Sequence, residues 1–192
     1  MSNFLRNTKV YLIGPIESDK CFGRDWREVV SAKLSEFGVH IYNPLDRPKW
    51  MAHLEPYMPP AKSRDEILKQ IRCGEESGKY IKTQKFIRHV CMRYVNSCDF
   101  VFCYLPNAKT FGSTEELVIA LGAKKPIIFV FPDDIPSLWV YDMAMDKHVF
   151  QNTKDALEFI FRVDSGQETL DLLQWIFLKD YPKLKLEKEY DW

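Results

Sequence analysis

Glu116 is the side chain with the clearest chemical potential, because of where the sequence puts it. It lies in Phe111-Gly112-Ser113-Thr114-Glu115-Glu116-Leu117, just after the apolar run Phe100-Val101-Phe102-Cys103-Tyr104-Leu105. A buried strand followed by a glycine-containing turn and a helix sets the start of that helix at the carboxyl edge of a sheet. That is the edge where open α/β sheets bind ligands. A carboxylate there is a candidate nucleophile or base. The same residues also spell a capping box, with Ser113 capping the helix and Glu116 reaching back to the cap N–H. Local sequence alone favours the cap.

The elements that would position Glu116 follow a strand–helix rhythm. Lys9-Val10-Tyr11-Leu12-Ile13 reads as a buried strand stopped by Gly14-Pro15. Arg24 to Phe37 carries helical periodicity through Trp26, Val29, Val30 and Leu34, with Gly38 as its stop. Val39 to Tyr42 is a second strand, closed by Asn43-Pro44. Helix returns at Thr83 to Asn96, with Phe86, Ile87, Val90, Tyr94 and Val95 as its apolar face. Further strands are expected at Asp99 to Tyr104, Pro126 to Phe131 and His148 to Phe150. Helices are expected at Ser113 to Leu121, Thr153 to Arg162 and Gln167 to Leu178. Strands that are apolar throughout, alternating with helices, imply a parallel sheet covered on both faces. The expectation is an α/β, single-domain, doubly wound parallel sheet of flavodoxin-like (Rossmann-like) order with about five strands. It would span residues 1–192, with an insertion or lid at about 46–80 and a C-terminal helical extension at about 166–192.

Composition narrows the function. Lys+Arg and Asp+Glu number 27 each, so no net charge draws the chain to a phosphate polymer, and no polymeric nucleic acid is expected as a partner. No segment is apolar for long enough to span a membrane. Asn3, Arg6, Asn7 and Lys9 break any signal-peptide run, so a cytoplasmic location is expected. The five cysteines (Cys21, Cys73, Cys91, Cys98 and Cys103) form no CxxC pair, and the four histidines are scattered. Reduced thiols and no metal site are the reading. The first strand-to-helix loop matches neither GxGxxG nor a Walker A loop, and no cofactor is implied.

Several landmarks fall in one order: Lys9 to Pro15, Trp26-Arg27-Glu28, Asn43-Pro44-Leu45-Asp46, Ser97-Cys98-Asp99-Phe100-Val101, Gly112 to Leu117, Ala120, and Lys125-Pro126-Ile127-Ile128. As an ordered set they resemble the nucleoside 2-deoxyribosyltransferase superfamily, which includes the deoxynucleoside-monophosphate N-glycoside hydrolases. The resemblance covers roughly Lys9 to Val130. It implies an enzyme acting at the N-glycosidic bond of a 2′-deoxynucleoside or deoxynucleotide. Glu116 would attack the anomeric carbon to give a covalent deoxyribosyl-enzyme, and Tyr11 would orient it. Glu115 fits a variant of the same motif. The resemblance further implies substrate contacts at Gly14, Pro15, Ile16, Asp46, Trp50, Cys91, Asp99, Gly112 and Ser113, with Asp99 read as either a strand-entry or a substrate-edge residue, more often structural than catalytic. It also implies a homo-oligomer whose sites are completed by a neighbour's segment Ser137 to His148, with Asp142, Asp146 and His148 as donors. The apolar density of Leu170, Leu172, Leu173, Trp175, Ile176, Phe177 and Leu178 points the same way.

One departure bears on activity. The family has an Asp in the helix before the third strand, and the matching position here is Cys91. A thiol lacks a carboxylate's charge and acceptor oxygens. Either His89 or Arg93 substitutes, or the sugar is read differently, or the activity is altered or lost. The alternative is therefore a non-catalytic nucleoside- or nucleotide-binding module. In the insertion, Trp50, Met51, His53, Tyr57 and Met58 form either a lid that stacks on a base or a satellite cluster. Arg47, Lys49, Arg64 and Arg72 are candidate 5′-phosphate contacts or solvated charge. Glu17 and Asp19 in the first loop disfavour a phosphate there, leaving Ser18, Lys20 and Arg24.

Overall fold

The computed structural model describes residues 3–16, 21, 23–46, 64–74, 78–106, 110–133, 138–144 and 148–185. Five parallel strands form the central sheet: β1 (Lys9–Ile13), β2 (His40–Tyr42), β3 (Phe100–Tyr104), β4 (Ile127–Val130) and β5 (Val149–Phe150). Their order is β2-β1-β3-β4-β5, the flavodoxin-like doubly wound arrangement expected from the sequence. The crossovers contain α1 (Arg24–Glu36), α2 (Arg64–Arg72), α3 (Gly78–Ser97), α4 (Phe111–Gly122) and α5 (Trp139–Ala144), and α6 (Thr153–Asp164) follows β5.

Alternation along each strand divides the core in two. Val10, Leu12, Phe100, Phe102, Ile128 and Val130 face one side, packed by Trp26, Val30 and Leu34 of α1 and by Phe159, Ile160 and Val163 of α6. Tyr11, Ile13, Val101, Cys103, Ile127 and Phe129 face the other, packed by α3, α4 and α5. Each fully buried aliphatic or aromatic side chain contributes about 1.5–3 kcal/mol. Strands covered on both faces therefore carry most of the stabilisation, which is why they read as unbroken apolar runs.

Three expectations need correction. Residues 167–178 are not a helix. Leu170–Asp171 (β6) pairs in parallel with Leu184–Lys185 (β7), and a single 3-10 turn spans Ile176–Leu178. Leu170 N donates to Lys183 O, Leu172 N to Lys185 O, and Leu173 N to the Asp171 carboxylate, so these backbone groups are used outside a helix. Part of the apolar density there serves the chain's own core, since Leu170, Trp175, Leu178 and Tyr181 are buried in the α1–α6 layer, while Leu173 and Ile176 stay exposed. On α1, Val29 is exposed rather than part of the core face, as is Phe86 on α3. Helix α5, which the sequence did not signal, lies within the segment 137–148.

The lid residues Trp50, Met51, His53, Tyr57 and Met58 lie outside the described residues, as do Arg47, Lys49, Glu17, Ser18, Asp19, Lys20 and Asp146. No helix among the described residues is long and apolar enough to cross a membrane.

Candidate active site

Helix α4 begins at Phe111, two residues before the expected start, with extended Thr110 as its N-cap. Ser113 is thus inside the helix, and the capping-box spacing no longer coincides with the helix end. Residues Ser113, Glu116, Leu117 and Ala120 form the buried face of α4. The Glu116 carboxylate is instead engaged across the sheet face. Tyr11 Oη donates to Glu116 Oε1 at 2.7 Å, a buried contact between β1 and α4.

Burial pushes the Glu116 carboxyl up to about 7. The Tyr11 hydrogen bond, the positive charge of Arg27 and a hydrogen bond with the Cys91 thiol each pull it back down, while Glu115 adds a small upward push. Tyr11 is pushed well above the ordinary tyrosine value by burial and then by the Glu116 charge, so it remains the proton donor of the pair. Cys91 is raised to about 12, first by burial and then by Glu116, and its thiol stays protonated. The lone carboxylate is thereby met by two neutral donors, the Tyr11 hydroxyl and the Cys91 thiol.

Glu115 and Glu116 have opposite environments. Glu115 points outward and pairs with Arg88 of α3 through two contacts, Arg88 Nε to Oε2 at 2.8 Å and Nη2 to Oε1. That hydrogen bonding holds Glu115 below the usual carboxylate value. Only Glu116 faces Tyr11.

Cys91 lies beside Glu116. It is 7% exposed, sits in the α3–α4 layer, and interacts with both Tyr11 and Glu116. His89 and Arg93 are on the exposed face of α3 and do not take over its position. An aromatic wall extends from Tyr11 towards β2. Tyr94 of α3 stacks on Tyr42 with ring centroids 4.8 Å apart and lies 6.0 Å from Tyr11. The negative charge of Asp46, exposed just beyond β2, acts on Tyr94.

The other proposed substrate contacts divide. Gly14 and Pro15 are buried at the carboxyl end of β1, and Ile16 is half-buried beside them. A Cβ on Gly14 would fall 2.7 Å from both the Trp26 ring and Tyr104 O, so only glycine fits between β3 and α1. Ser113 shares the Glu116 face of α4 one turn earlier, whereas Gly112 is exposed and an added Cβ there would meet nothing within 4 Å. Trp50 is outside the described residues. Asp99 takes the strand-entry side of its two readings, not the substrate contact. Its Oδ2 accepts from Lys9 N at 2.7 Å and its own N–H donates to Lys9 O at 2.7 Å. Since β1 and β3 run parallel from there, Asp99 fastens the amino edge of the sheet, opposite to the ligand-binding edge. His148 is a correction. It is buried against Phe159 and Trp175, whose Nε1 lies 3.4 Å from His148 Nε2, and it is not available to a neighbouring subunit. Asp142 is exposed on α5.

Sequence reasoning named Arg27 only as a landmark. It is fully buried, and its guanidinium donates to three backbone carbonyls, Gly14 O at 2.8 Å, Gly23 O at 2.9 Å and Pro15 O at 3.3 Å. The signal was an arginine one position after Trp26, on the inward stripe of an otherwise amphipathic helix. No group of three or more His, Cys, Asp or Glu among the described residues could hold a metal ion.

No protein-family model and no curated protein matches the sequence. Among solved structures, the fold is similar to a 2-deoxyribosyltransferase from the psychrotolerant bacterium Bacillus psychrosaccharolyticus. The TM-score is 0.52 at 14% identity, over 78% of this chain and 90% of that one. That protein is described as a biocatalyst for nucleoside synthesis. At this identity the likeness establishes the shared fold.

Proposed function

We propose that this chain is an enzyme that breaks the N-glycosidic bond of a 2′-deoxynucleoside or deoxynucleotide, with Glu116 as nucleophile. The observation that carries the reading is the buried 2.7 Å contact from Tyr11 Oη to Glu116 Oε1, on a fold shared with a 2-deoxyribosyltransferase. A Glu116 oxygen attacks C1′, and the base departs with the bonding electrons and gains a proton. Water or a second base then resolves the deoxyribosyl-enzyme. Tyr11 holds the attacking carboxylate in one orientation, as near-attack geometry requires. Gly14, Pro15, Ile16, Asp46 and Ser113 are proposed to line the substrate. The substrate is a small molecule, and no cofactor enters the reaction.

The second reading is a nucleoside-binding module without turnover. Cys91 favours it, because a neutral thiol stands beside Glu116 where the resembling family has a carboxylate. The deciding experiment incubates the protein with deoxynucleosides and their 5′-monophosphates, with and without a second free base, and separates the products chromatographically. Released base marks a hydrolase and exchanged base a transferase. Glu116→Gln should lower either rate by at least about a hundredfold, whereas Glu115→Gln should leave it nearly intact. Binding without turnover would establish the module instead.

We also propose a homo-oligomer, now on different grounds. Leu170, Trp175 and Leu178 serve the chain's own core, but Phe111, Leu138 and Trp139 at the starts of α4 and α5 are 96%, 82% and 80% exposed.

A further inference from the structure

Arg27 starts on the α1 side of the sheet, yet its field reaches the opposite layer. Its charge acts on Glu116, Cys91 and Cys103, all of which belong to the α3–α4 side. The guanidinium is held at the carboxyl end of β1, bonded to Gly14 O and Pro15 O. The three carbonyls that the guanidinium grips belong to both ends of the β1–α1 loop, Gly14 and Pro15 at its start and Gly23 at its close. Gly23 has φ +65, and a Cβ there would lie 2.2 Å from Arg27 Nη1 and 2.4 Å from Pro15 O. The two ends of the loop therefore meet at the guanidinium with no room for a side chain at Gly23. Trp26 completes the seat, its ring 4.4 Å from the Arg27 Cζ. A planar fork of donors can span several carbonyls at once, which a lysine ammonium on its flexible stem does not match.

We propose that Arg27 is a positioning residue for the Glu116 site. Its guanidinium clasps the two ends of the β1–α1 loop and fixes a positive charge at the sheet edge where the carboxylate must act as an anion. Its catalytic part rests on the function proposed above, whereas the clasp and the field do not. Among the described residues, the groups facing Glu116 are Tyr11 from β1, Cys91 from α3, Cys103 from β3, Glu115 from α4 itself, and Arg27 from α1. Of these, Arg27 is the only cation.

The test compares wild type, Arg27→Lys and Arg27→Met in two readouts. The first is the titration midpoint of the Glu116 carboxyl, followed by NMR in protein with 13C-labelled glutamate and assigned by its loss in Glu116→Gln. The second is the pH profile of kcat/KM together with KM. Arg27→Met should raise the midpoint by about one pH unit, move the acid limb of the profile equally, and raise KM about tenfold. Arg27→Lys keeps the charge and should hold the midpoint near wild type while still raising KM, because it cannot span the loop. Should Arg27→Met fail to fold, Arg27→Lys and Gly23→Ala decide the matter, since the added Cβ would displace the guanidinium without removing its charge. A folded Arg27→Met with an unmoved midpoint, or Arg27→Lys and Gly23→Ala with wild-type KM, would overturn the proposal. If wild type releases no base from any substrate, the function proposed above fails, and the NMR midpoint still decides the role of Arg27.

Discussion

Replacing Glu116 by Gln tests the electrostatics of the site without any substrate. The Glu116 carboxyl titrates near 7 in the folded chain against 4.5 as the ordinary value. A carboxyl raised in this way binds its proton more tightly folded than unfolded. Its contribution to stability is fully present below pH 4.5 and is lost as pH rises through about 7, where the folded chain must bury a charge. At about 1.4 kcal/mol per pH unit, the interval from 4.5 to about 7 corresponds to about 3 kcal/mol. Gln has no proton to lose. The stability of Glu116→Gln relative to wild type should therefore climb by about 3 kcal/mol between pH 4.5 and pH 8, while all other titrations cancel in the difference. Urea denaturation of both proteins across that range measures it. A difference that stays flat to within about 1 kcal/mol would mean that the carboxylate is solvated when ionised, and the buried-nucleophile argument would fall with it.

Tyr11→Phe removes a donor that stabilises the ionised carboxylate. A hydrogen bond to a charged group contributes about 1.5–3 kcal/mol, so the acid limb of the pH–rate profile should move up by about one to two pH units; an unmoved limb would assign Tyr11 to packing alone. Cys91→Asp should set two carboxylates against each other and move the same limb upward, with activity above it equal to or greater than wild type. Loss of activity at every pH would refute a substrate-side role for position 91. Light scattering at micromolar concentration should give a mass above one chain, and Trp139→Glu should reduce it. A monomer with full activity would dispose of the oligomer.

The parts of the fold that the sequence exposed are those governed by one repeating constraint. Strands β1, β3 and β4 are covered on both faces, so each reads as an apolar run, and their order followed from right-handed crossovers. The segment 167–178 misled because its apolar residues repeat as a helix would repeat them: Leu170, Trp175, Leu178 and Tyr181 are buried, while Leu173 and Ile176 are exposed. What the period cannot carry is the pairing of Leu170 and Leu172 N–H with Lys183 and Lys185 carbonyls, which makes the segment a strap. Within the site, Tyr11, Cys91 and Glu116 converge as position matching required, since each belongs to a regular element whose register is firm. Asp99 stayed open between strand entry and substrate edge because adjacency to a strand names no partner, and the Lys9 hydrogen bonds put it at the entry. Arg27 was passed over because its partners are carbonyls of a loop, and backbone acceptors leave no mark in a sequence.

Two adjacent glutamates in α4 show how far the environment sets the chemistry. Glu115 is exposed, paired with Arg88 and held as an anion below the ordinary range. Glu116, one residue on, makes no ion pair among the described residues; it is buried and held near 7 by competing effects. A nucleophile must be ionised, yet an easily ionised carboxylate is a weak one. A value near the working pH is the compromise that acid–base and nucleophilic sites exploit. Here Cys91 helps to set that value. A carboxylate at its position would share one proton with Glu116 and drive one of the pair further up. A thiol held at about 12 remains neutral throughout and leaves Glu116 as the single anion facing Tyr11. The substitution that removes a charge from the site thus keeps its remaining carboxylate within reach of ionisation at neutral pH. On this argument the missing carboxylate weakens sugar recognition more than it weakens the nucleophile, and wild type and Cys91→Asp should differ more in KM than in kcat above the acid limb.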